Sequence, residues 1–76
     1  MASTHLLFIP KEHVKDFAEL TNDAVFLSMK KAIQEQIQKN ELMGKGYKVV
    51  LNGGGAQFVD HVHFHLIGPV GINVAP

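Results

Sequence analysis

The chain has 76 residues, room for one small domain that buries about two-thirds or less of its unfolded surface, so its stability alone is marginal. Seven basic and seven acidic residues cancel, which leaves no polybasic footprint for a long nucleic acid and no charged tail, so any nucleotide partner is expected to be small. There is no cysteine for a disulfide framework, no basic leader in Met1-Ala2-Ser3-Thr4-His5 and no apolar run long enough to span a bilayer, and the expectation is a soluble, cytoplasmic protein.

In chain order the pattern predicts a strand, two helices and two further strands. Leu6 to Ile9 is a short apolar run that Pro10 stops, since proline has no amide to give a ladder; His5 lies at its edge. Val14, Phe17, Ala18 and Leu20 fall at helical spacing and predict a short first helix, and His13 before it is read as structural, because capping explains a polar residue there. Thr21-Asn22-Asp23 offers capping oxygens for a second helix. Phe26, Met29, Ile33 and Ile37 form its apolar stripe, and Lys31 and Glu35 pair one turn apart. Gly44 and Gly46 are expected to end it, with Asn40 to Met43 as its last turn or a loop. Tyr47 to Leu51 and Asp60 to Ile67 read as the last two strands, joined by Asn52-Gly53-Gly54-Gly55-Ala56-Gln57. The predicted class is α+β, with an antiparallel sheet of about three strands and two helices in one domain over residues 1–76.

The chemistry is concentrated in His61-Val62-His63-Phe64-His65. A strand sends alternate side chains to opposite faces, so the three imidazoles are expected to share one surface while Val62, Phe64 and Leu66 enter the core. Histidine near neutral pH serves as nucleophile, proton donor or metal ligand. Zinc is the alternative reading, but there is no cysteine, the third ligand would have to come from the same strand, and Asp60 is the one nearby acid placed to hold a ring. Plain surface or core histidines are the remaining alternative. The glycine run before the row has two readings as well. It serves a hairpin turn, or it lets backbone amides approach an anion.

The row His61-Val62-His63-Phe64-His65-Leu66-Ile67 resembles the signature of the histidine triad nucleotide-binding proteins. Thr4-His5-Leu6-Leu7-Phe8-Ile9-Pro10-Lys11-Glu12-His13-Val14 is similar to that family's strand and turn before its first helix. Gly46-Tyr47-Lys48-Val49-Val50-Leu51-Asn52-Gly53-Gly54 is similar to the strand ending in its nucleotide-binding asparagine. The three matches stand in family order. The resemblance is strongest to the Hint-type branch, which hydrolyses nucleoside phosphoramidates; the uridylyltransferase branch carries glutamine where this chain has His65.

That resemblance implies that His63 attacks phosphorus to give a nucleotidyl-histidine intermediate resolved by water, that His65 bonds phosphate or leaving-group atoms, and that His61 and His5 orient the cluster. It implies a nucleotide and phosphate site made of Asn52, Gly54, Gly55, Gln57, His63 and His65, with no cofactor and no metal. The implied substrate is a purine nucleoside monophosphate conjugate, and the implied assembly is a homodimer joined through the helix stripe and the Tyr47 to Leu51 strand. Two departures stand out: Phe58 replaces the serine that usually follows the matching glutamine, and the family's strands before the Thr4 segment have no counterpart in the 76 residues. A nucleotide-binding or interaction module with poor turnover is the competing function, and a metal-binding protein a third.

Overall fold

The computed structural model describes residues 3–56 and 61–72. Strand β1 runs Thr4–Phe8, a short 3-10 turn covers Phe17–Glu19, helix α1 spans Asp23–Lys39, and strands β2 and β3 are Lys48–Leu51 and Phe64–Gly68. The sheet is antiparallel throughout, in the order β1-β3-β2, so the last strand of the sequence is the central one. Thr4 pairs with Gly68 and Phe8 with Phe64 on one side of β3; Lys48 pairs with Ile67 and Leu51 with Phe64 on the other.

This register sorts the side chains by face. Phe64 and Leu66 share a face with Leu6, Phe8 and Leu51, and they pack on Ile33 and Ile37 of α1 together with Val14, Leu42 and Val62. Leu66 and Leu42 are almost completely enclosed. Removing either side chain down to alanine would cost about 2–5 kcal/mol. The opposite face carries His5, Leu7, Lys48, Val50, His65 and Ile67. Apolar burial against the helix thus leaves the other side of the sheet to the histidines.

Helix α1 begins where the capping residues predict. Asn22 is extended and its side-chain oxygen accepts from the amide of Ala24 at 3.0 Å, meeting one of the orphan donors of the first turn. Of the expected stripe, Ile33 and Ile37 are buried and Met29 packs against the core, whereas Phe26 stays 41% exposed. The helix stops before either glycine. Glu41 takes the left-handed conformation at φ 54, Leu42 N donates to Ile37 O at 3.0 Å and Glu41 N to Gln38 O at 3.1 Å, a Schellman close that leaves Leu42 in the core cluster with Ile37.

Two expectations are corrected. The predicted first helix is only the turn Phe17–Glu19, so α1 is the one α-helix among the described residues. Asp16 caps that turn, accepting from Ala18 N at 3.2 Å, and the Asn22 cap follows so soon that no longer helix fits between them. Val14 is held outside it, its carbonyl accepting from Val62 N at 2.6 Å. The strand expected over Asp60 to Ile67 starts only at Phe64, because β1 and β2 both end opposite that residue and supply no ladder partner before it. Among the described residues no helix is long and apolar enough to cross a membrane.

Candidate active site

The histidine row divides at the point where the strand begins. His65, on β3, lies opposite Leu7 of β1 and Val50 of β2, on the face away from the helix. His5 shares that face from β1, and its Nε2 is 3.0 Å from Nδ1 of His65. Burial, followed by repulsion from His63 and His5, holds the His65 imidazole below the ordinary histidine range and so favours its neutral form.

His63 precedes the ladder and is only 9% exposed. Its ring lies edge-on to that of His65, with centroids 5.0 Å apart. Its Nδ1 is 2.9 Å from the carbonyl oxygen of His61. A carbonyl only accepts, so Nδ1 carries the proton of the neutral ring and the lone pair is on Nε2. A main-chain group thus selects Nε2 as the nitrogen with the free lone pair.

Val62, Phe64 and Leu66 enter the core as the alternation predicts, and the His63 and His65 rings stand side by side. The His61 ring meets that of His13. Their Nδ1 atoms are 2.8 Å apart, with ring centroids 4.7 Å apart, and His61 Nε2 lies 3.2 Å from the carbonyl of Pro10. His13, read from the sequence as structural, therefore joins the cluster. The signal available was its place just past the strand that Pro10 ends. Two ligands of one tetrahedral zinc ion stand about 3.3 Å apart, so the contacts of 2.8 and 3.0 Å are hydrogen-bonded pairs. No group of three or more metal-ligating side chains is assembled among the described residues.

Asn52 follows β2 and is exposed, and the glycines after it form a turn closed by Ala56 N donating to Gly53 O at 3.1 Å. Gly54 and Gly55 have φ of 65 and 99, the left-handed values of a primed hairpin turn. The Gly54 amide, expected to face phosphate, donates to Oδ2 of Asp16 at 2.8 Å. One carboxylate thus caps the 3-10 turn and pins the glycine loop. Asp16 is the second residue that sequence reasoning missed. Gln57 and Asp60 lie outside the described residues.

A family model for the HIT domain matches residues 1–71. The chain belongs to the HIT family. Among HIT relatives, an uncharacterized HIT-like protein of Chlamydia trachomatis is 39% identical over 71 residues, covering 88% of this chain and 63% of the relative. An adenosine 5'-monophosphoramidase of Candida albicans is 36% identical over 74 residues, covering 88% of this chain and 49% of that protein. Of solved HIT structures, a HIT family hydrolase from Legionella pneumophila superposes with a TM-score of 0.79 at 35% identity, over 90% of this chain and 64% of its own. One from Clostridium thermocellum gives 0.80 at 33% identity, over 99% and 67%. The chain spans a little under two-thirds of the Chlamydia trachomatis relative and about half of the Candida albicans one.

Proposed function

We propose that this HIT chain is a nucleotidyl hydrolase acting on purine nucleoside phosphoramidates, with His63 as nucleophile. The observation that carries the reading is the bond from His63 Nδ1 to the His61 carbonyl, which leaves Nε2 as the lone-pair nitrogen of a nearly enclosed ring beside His65. Nε2 attacks phosphorus, the P–N bond breaks, and the amine departs with a proton from solvent, which the later attack of water returns. Water then attacks the nucleotidyl-histidine, frees Nε2 and yields the monophosphate. His65 holds phosphate and leaving-group atoms, His61 and His5 orient the cluster, and Asn52, Gly54, Gly55 and Gln57 complete the nucleotide site. The Candida albicans phosphoramidase supports the substrate class. The proposal includes a homodimer working in the cytoplasm, with no metal or cofactor.

Replacing His63 with alanine is expected to abolish hydrolysis of adenosine phosphoramidate while circular dichroism and binding of adenosine monophosphate persist. Near-normal turnover in His63→Ala refutes the assignment, and loss of activity on chelation with recovery on zinc would favour a metal site. One observation favours a second reading, a nucleotide-binding module with slow turnover: the Asp16 carboxylate already occupies the Gly54 amide. Measured turnover of the unmodified chain separates the two.

A further inference from the structure

His61 and His63 lie before β3 begins, so no strand ladder fixes them. What ties this segment to the rest of the molecule is a set of contacts with the turn after β1. Val62 N donates to Val14 O, His61 Nε2 meets Pro10 O, and His61 Nδ1 meets His13 Nδ1. The tautomers follow from the partners. Pro10 offers a carbonyl, which only accepts, so the neutral His61 ring carries its proton on Nε2 and presents a lone pair at Nδ1. The donor at 2.8 Å must then be His13, with its own proton on Nδ1.

We propose that His13 is a positioning residue: its Nδ1–H, donated to His61 Nδ1 at 2.8 Å, acts together with the longer contact to the Pro10 carbonyl to hold the tautomer and place of His61, and thereby the carbonyl that orients His63. The relay is His13 Nδ1–H to His61 Nδ1, His61 Nε2–H to Pro10 O, and His63 Nδ1–H to His61 O. No proton is consumed along it. Its product is geometry, a His63 ring whose lone pair stays on Nε2. The catalytic half of this inference rests on the nucleophile role proposed above; the tautomer half does not.

The two halves are tested separately. Nitrogen-15 NMR of the chain at mildly alkaline pH is expected to show Nε2–H at His61 and Nδ1–H at His13 and His63. In His13→Ala, His61 and His63 are each expected to become tautomer mixtures, and kcat for adenosine phosphoramidate to fall about tenfold with KM nearly unchanged, the size of loss typical when an outer orienting partner is removed. His13→Asn places an amide N–H at the level of Nδ1 and is expected to restore both the spectrum and most of the rate. Unchanged His61 and His63 tautomers in a folded His13→Ala overturn the proposal, as does failure of a folded His13→Asn to restore them. If the unmodified chain shows no phosphoramidate turnover, the nucleophile reading fails, and the NMR comparison still decides the role of His13.

Discussion

Gly46 offers a sharp test of how the exit of β3 is fastened to the approach of β2. It sits at φ 82, where a residue with a Cβ loses about 1–2 kcal/mol. Its environment adds a second penalty, because an added Cβ would overlap the Gly71 carbonyl, which is backbone and has no rotamer to yield. Val70 N donates to Gly46 O at 2.9 Å and Gly71 N to Lys45 O at 3.0 Å, so relieving the overlap strains two hydrogen bonds of about 1 kcal/mol each. Gly46→Ala is therefore expected to cost about 3–4 kcal/mol, against a total of about 4–11 kcal/mol for a domain of this length. Gly44 supplies the control: its φ is 79, and an added Cβ meets nothing within 4 Å. Gly44→Ala should lose only the backbone penalty of about 1–2 kcal/mol. Urea unfolding followed by circular dichroism compares the midpoints at constant m. Two variants that agree within about 0.5 kcal/mol would refute the reasoning, because the Gly71 contact would then contribute nothing beyond the shared backbone penalty.

Other expectations follow from the same geometry. NMR titration of His65 should give a midpoint below the ordinary value of 6.5, and His5→Gln should raise it only part way, because burial is the larger cause. The folded state favours neutral His65, so its contribution to stability is complete above the ordinary value and is lost as pH falls toward the folded midpoint; a midpoint at or above 6.5 contradicts this. Phe26, Tyr47 and Val49 are 41%, 41% and 46% exposed around an apolar groove between α1 and β2, so light scattering at micromolar concentration should report a dimer that Val49→Lys weakens. A monomer in the unmodified chain would count against the proposed assembly. Asp16→Ala should raise hydrogen exchange at the Gly54 amide and cost about 1–2 kcal/mol through the lost cap; unchanged protection would show that the loop holds its shape alone.

The parts of the fold legible in the sequence are those decided by neighbours a few residues apart. Asn22 as a cap and Ile33 and Ile37 as buried helix positions depend on local spacing alone, and they stand where the pattern puts them. The helix end does not, because Glu41 takes a left-handed conformation that composition assigns to glycine, a turn that carries Leu42 into the core cluster. The inward positions of the histidine row are real, with Val62, Phe64 and Leu66 all in the core. The partners of His61 and His63 lie beyond what a period of two can show: a proline carbonyl and a histidine some 50 positions earlier, and a main-chain oxygen two residues back. Asp16 was invisible for the same reason, as its bond to Gly54 crosses 38 positions. Local pattern shows which residues carry the chemistry, while long-range contacts decide which nitrogen faces which.

The placement of β3 between two strands that precede it in the sequence has a kinetic meaning. β2 and β3 are close in the sequence, so their ladder closes a short loop. The ladder from β1 to β3 joins residues as distant as Thr4 and Gly68, and its closure carries the larger entropy loss. His5 and His65, 60 positions apart, meet only when that long closure is complete. Their contact therefore marks the arrival of β1, and a fluctuation that lifts β1 takes the His5–His65 pair apart while the ladder between β2 and β3 still stands. In this chain the His5–His65 pair and the docking of the first strand are one event, readable from a single imidazole resonance.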